Sequence, residues 1–271
     1  MVDVGMLYRQ QLTEADRRVL ADVGGGTDRL EAVLASPALE AAVLGPDRPA
    51  ELEGSVSPFL VFAVAVHRSV AALETATFVE ERWMPRVRIP IFDVSSLRQL
   101  LADPLRRYFL VELLASYTRV TSGVRWVRNG TRWQRRRFSE LDPVRLAGLL
   151  EVVDASERPG VYRRLGDLAL FLSGVFPDRP YLPIGASQDR LLRLSGVDPR
   201  RGDELAGTGM LEWLGARWYA AAAASATALG VPVTGTLAVA ADMGAHFAEA
   251  RRFLNTVTDR YLFPIRGQWF G

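Results

Sequence analysis

Cysteine and lysine are both absent from this chain of 271 residues. The first absence removes thiolate nucleophiles, cysteine-ligated zinc, iron–sulfur clusters and disulfide staples together. The second makes all 33 basic residues arginine. It excludes a Walker A lysine, a Schiff-base or pyridoxal-phosphate lysine and the ATP-binding lysine of protein kinases. The run Gly24-Gly25-Gly26 therefore reads as a helix break, not as a phosphate loop. A GC-rich coding sequence explains arginine in place of lysine without any functional demand.

Long apolar runs are also scarce. Pro58 to Val66 and Trp218 to Leu229 are too short or too rich in small residues to span a bilayer, so no transmembrane segment is expected. The amino terminus soon becomes the polar run Arg9 to Arg18, which does not fit a secretory leader. A cytoplasmic protein is expected.

What is present is helix-forming. With 49% hydrophobic residues the chain can bury a large core. Thr13 with Asp16 forms an acidic variant of a capping box; Thr27, Ser36-Pro37 and Ser57-Pro58 are further helix starts, the last opening an apolar helix to about Thr77. Pro85 and Pro90 make 83–90 extended. Helices are predicted at about 94–102, 104–121, 142–153, 158–175 and 187–195. Two long Ala-rich helices, about 208–229 and 235–262, should pack antiparallel. The predicted fold is mainly α, a multi-helix bundle with one inserted β-hairpin at about 123–138. It is read as one compact domain, with a lobe of 1–177 carrying the hairpin and a C-terminal lobe of 178–271.

The hairpin is the chemically unusual part. Asn129-Gly130 is the dipeptide favoured in a type I′ turn, flanked by alternating residues that include six arginines and two tryptophans. A turn centred there pairs Arg128 with Thr131, Trp126 with Trp133, and Arg125 with Gln134. One face then carries Trp126 and Trp133 with Arg128, Arg135 and Arg137; the other carries Arg125, Arg132 and Arg136. Docking through the tryptophan face leaves Arg125, Arg132 and Arg136 as an outward stripe, with Arg125 diagonal to Arg132. An isolated two-stranded ribbon is marginal in water, so helices must support it.

Charge is unevenly spread. Residues 82–137 hold thirteen arginines against Asp93, Asp103 and Glu112, a formal +10, whereas residues 1–56 hold ten acids against five arginines, a formal −5. This asymmetry fits either a basic binding surface or an acidic region packed on a basic one.

Few polar groups interrupt the apolar helices. His67 and Glu74 share a face at i, i+7. Glu112 sits in a helix apolar almost all round, with Tyr108, Ser116 and Arg119 on its side, and a buried glutamate there needs a partner such as Arg107 or Arg119. Asp242, His246 and Glu249 are the weak metal-ligand candidates, but the paired Glu-x-x-His signature of carboxylate-bridged sites is missing. No Gly-x-Ser-x-Gly occurs, and Ser187 reads as an N-cap. Gly166 in the helix 158–175 would allow close helix approach, with Asp167 paired to Arg163 or Arg164.

These residues point to a binding protein more than to an enzyme, with no cofactor and no catalytic residue assigned. The expected partner is an anionic macromolecule, nucleic acid first and an acidic protein surface second, with self-association left open. A winged-helix reading fails because the helix before the hairpin is too apolar to enter a groove. A small-ligand or metal site between helices and an anionic membrane surface are the remaining readings.

Overall fold

Among the described residues, four helices begin with the same two-residue device, a Ser or Asp cap followed by proline. Proline at the first helical position lacks only an N–H that would be unpaired anyway, and the residue before it is steered into extended backbone. Ser36 accepts from Leu39 N and Ser57 from Leu60 N, each at 3.2 Å. Asp103 accepts from Leu105 N at 2.8 Å and Asp142 from Val144 N at 3.0 Å. The computed structural model describes residues 3–23, 30–45, 56–84, 87–119, 122–129, 132–177, 186–200 and 208–262. The predicted break at Gly24-Gly25-Gly26 and the start at Thr27 lie outside them.

Two compact units result, one of residues 1–118 and 252–271, the other of 119–251. The first contains α1 (Val4–Gln11), α2 (Glu14–Asp22), α3 (Leu30–Leu34), α4 (Pro37–Leu44), α5 (Pro58–Thr75), α6 (Val94–Leu101) and α7 (Pro104–Ser116). The Thr13/Asp16 capping box opens α2 as predicted. The second oxygen of Asp16 accepts from Ser57 N at 2.8 Å, so one carboxylate ties the starts of α2 and α5. Phe59 to His67 is buried without interruption, because α5 is the central helix, packed by α3, α4, α6 and α7. By length and composition α5 is the one helix among the described residues that could cross a membrane, and most of it is buried inside its unit.

The first unit also holds a β-ribbon, β1 (Val79–Met84) with β2 (Val87–Ile91), in the stretch predicted only to be extended. Pro90 pairs opposite Glu80. A two-stranded ribbon consists of edges alone, and there a proline costs no ladder hydrogen bond on its open side.

The second unit contains β3 (Ser122–Asn129), β4 (Arg132–Ser139), α8 (Pro143–Ala147), α9 (Arg158–Val175), α10 (Ala186–Leu194), α11 (Thr208–Ala228) and α12 (Gly235–Ala245); α13 (Phe247–Val257) carries the chain back into the first. The fold is mainly α, with the predicted hairpin in place. Helix 142–153 is shorter than predicted and finishes as a 3-10 turn at Gly148–Glu151. The lobe boundary expected at residue 177 falls inside the second unit, where α9 before it packs on α11 after it. Gly166 permits that approach: a Cβ there would stand 2.5 Å from the Tyr219 ring. Tyr219 donates to Asp167 Oδ1 at 2.8 Å, and Arg163 Nε lies 3.7 Å from Asp167 Oδ2, one of the two predicted pairings.

Candidate functional site

The β3–β4 ribbon is built as its alternation dictates, but in a different register. Asn129 faces Arg132, leaving Gly130-Thr131 between the strands in place of Asn129-Gly130. Arg128 therefore pairs with Trp133, Trp126 with Arg135, Val124 with Arg137 and Arg125 with Arg136. The predicted Trp126–Trp133 and Arg125–Gln134 pairs do not form. Partners move by two residues, and strand alternation has a period of two, so the two face sets survive the shift. Arg125, Arg132 and Arg136 still share one face; Arg128, Arg135 and Arg137 share the other with both tryptophans. Neither strand contains an acidic residue. The ribbon belongs to the second unit and the acidic residues 1–56 to the first.

The buried polar candidates resolve differently. His67 is 4% exposed and meets Tyr8 of α1, whose hydroxyl donates to Nε2 at 2.9 Å when the ring carries its proton on Nδ1. Tyr108 lies edge-on to Tyr8 with ring centroids 5.2 Å apart, and Phe59 completes the aromatic shell. Burial, with Arg107 adding to it, pushes the His67 imidazole down to about 3, and burial raises the Tyr8 phenol far above its ordinary range. Both groups are thus neutral, which makes the pair a packed hydrogen bond. Glu74 is exposed and does not join His67, because by the last turn of α5 its face has left the core.

Glu112 is half-buried and raises the Tyr108 phenol electrostatically, secondary to burial. Its predicted arginines go elsewhere: Arg107 pairs with Glu31 at 2.7 Å and donates to Leu101 O, and Arg119 is exposed beyond the end of α7. Arg107–Glu31 is an ion pair between the basic segment and the acidic amino-terminal segment.

The sequence predicts Asp242, His246 and Glu249 on one continuous helix, about 235–262. The helix instead breaks at His246, whose ψ of 29° ends α12 before α13 begins, so the i, i+4 alignment is lost. Among the described residues no group of three His, Asp or Glu side chains could hold a metal ion.

A cavity of about 270 Å³ in the first unit was not foreseen. Its small-residue stripe Ser69, Ala72, Ala76 at i, i+3, i+7 was visible in the sequence, but the facing residues Thr256, Asp259 and Arg260 are remote along the chain. Comparison with protein-family profiles, with curated proteins and with solved structures finds no match.

The His67 pair carries a pH prediction. Below pH 6.5 the unfolded chain takes up a proton that the folded imidazole refuses until about pH 3. The stabilisation is therefore complete above 6.5 and is lost as pH falls toward 3. Between pH 8 and pH 5, wild type should lose about 2 kcal/mol relative to His67→Gln, which keeps a hydrogen-bonding side chain but cannot titrate. Urea unfolding of both proteins across that range checks it; parallel curves would refute it.

Proposed function

We propose that this chain is a non-enzymatic binding protein whose β3–β4 ribbon engages the phosphate backbone of nucleic acid. The observation that carries the reading is the register, which sets Arg125 directly opposite Arg136, with Arg132 on the same face of an acid-free ribbon. Like charges directly opposed across a ribbon disfavour its folding, and anions placed along that face reverse the sign of the effect. Phosphates at regular spacing supply such anions, and binding to them is independent of base sequence.

Three arginine–phosphate contacts give a log affinity falling with log salt at a slope of about −3. Titrating fluorescent duplex and single-stranded oligonucleotides at several salt concentrations measures it. Arg125→Glu/Arg132→Glu/Arg136→Glu should abolish binding while leaving the circular dichroism of the helices unchanged. No binding at low salt would remove this reading.

An acidic protein surface is the second reading. It is favoured by the pairing of Trp126 with Arg135 and of Trp133 with Arg128, since tryptophan and arginine dominate binding hot spots. A pull-down insensitive to nuclease but lost in the triple variant would move the weight there.

A further inference from the structure

Helix α4 is apolar on two sides. Leu39 and Val43 are buried in the core, while Pro37, Ala41 and Leu44, at i, i+4 and i+7, line a groove of about 420 Å³ that Arg260 and Tyr261 close from the other side. The outer face of a surface helix is ordinarily polar. Here Glu40 is the one charged residue of α4, and Arg68 is already paired with it.

The opposite wall belongs to a single turn of π-helix, Thr258–Leu262, that follows α13. Such turns are rare and recur at functional sites. Arg260 is exposed, its guanidinium 5.4 Å above the Tyr261 ring centroid, and no carboxylate pairs with it among the described residues. Asp259 lines the cavity beside α5, 3.5 Å from Arg88, and does not line the groove. With Glu40 neutralised by Arg68, the groove keeps one unbalanced positive charge. Tyr261 is 9% exposed, and its hydroxyl has no hydrogen-bond partner among the described residues. A guanidinium only donates, so Arg260 cannot accept from the phenol, and an acceptor is what the site lacks. A buried donor left in that state costs free energy that a ligand acceptor recovers.

We propose that this groove binds a small apolar monocarboxylate, the chemistry of a medium-chain fatty acid. One carboxylate balances one guanidinium, accepts from both Arg260 and the Tyr261 hydroxyl, and leaves its chain on Pro37, Ala41 and Leu44. A phosphate monoester carries about two negative charges and would leave one unbalanced. The volume is that of a small-molecule site, larger than an inorganic anion fills. The groove lies in the first unit and does not depend on the ribbon's function.

The test titrates the full-length protein with octanoate, watching ligand signals by saturation-transfer NMR and heat by calorimetry. Two controls run beside it: 1-octanol keeps the chain and loses the charge, and acetate keeps the charge and loses the chain. Octanoate should bind saturably, and each control at least about tenfold more weakly. Arg260→Gln should weaken octanoate about tenfold and leave octanol unchanged. Tyr261→Phe should weaken octanoate about fivefold with no loss of stability to urea, because it removes a hydroxyl that nothing else uses. Ala41 is exposed, so Ala41→Phe can fill the groove without disturbing the core and should abolish binding. The triple glutamate variant of the ribbon should bind octanoate as wild type does. No binding of octanoate, a control that binds equally well, or unchanged affinity in Arg260→Gln, Tyr261→Phe or Ala41→Phe would each overturn the proposal, as would loss of binding in the ribbon variant.

Discussion

Gly166→Ala is expected to destabilise the second unit by about 3 kcal/mol, although it adds a single methyl group. A Cβ at position 166 falls 2.5 Å from Tyr219 Cδ1 and 2.6 Å from Cε1, well inside van der Waals contact. The ring has little freedom to yield. Tyr219 is fully buried, its hydroxyl is tied to Asp167, and on its other side a Cβ at Gly244 of α12 would already stand 3.0 Å from Tyr219 Cβ. The methyl must therefore either push α11 away from α9 or break the bond to Asp167, leaving a carboxylate that is 6% exposed without its phenol. Either route costs more than the few tenths gained from alanine's higher helix propensity. Tyr219→Phe alone should cost about 1.5 kcal/mol, the loss of one hydrogen bond to a charged acceptor. Gly166→Ala made in a Tyr219→Ala background should cost much less than it does in wild type, because the clash partner is gone. Urea unfolding of the four proteins measures the cycle, and additive costs would refute the contact.

Asp16→Ala should cost about 3 kcal/mol in the first unit. Asp16 has no solvent exposure, and its two oxygens accept from Thr13 N and from Ser57 N, each at 2.8 Å. Alanine would strip acceptors from both helix starts at once, which is more than the usual cost of losing one cap. Asp16→Asn retains one acceptor oxygen and should lose about half as much. Hydrogen exchange at the first turns of α2 and α5 gives the readout: both should lose protection together in the alanine variant. Loss confined to α2 would show that the carboxylate acts as a local cap only.

Local signals in the sequence set the starts of α4, α5, α7 and α8, because a Ser or Asp side chain before proline acts within three residues. Position and strand alternation of the ribbon were equally legible. Its register was not, since a shift of two residues leaves the same residues on each face. Prolines 85 and 90 hid the β1–β2 ribbon by weakening its strand signal. The partner of His67 lies 59 residues away at Tyr8, and Arg107 reaches Glu31 across 76 residues, where periodicity along a single helix carries no information. The close approach beside the break at His246 is equally non-local. A Cβ at Gly215 of α11 would strike the Phe247 ring and stand 2.9 Å from Ala169 Cβ, a packing constraint from two other helices that no local propensity encodes.

The first unit is assembled from two distant stretches of chain, and this gives its folding a temporal order. During synthesis the residues of the second unit emerge as one continuous stretch, whereas the first must wait for the final segment to arrive. Arg252 then reaches Glu81 across 171 residues at 3.0 Å, and Asp259 reaches Arg88. Closing contacts of such long sequence separation is slow. On the ribosome, the unit that begins first is the unit that finishes last.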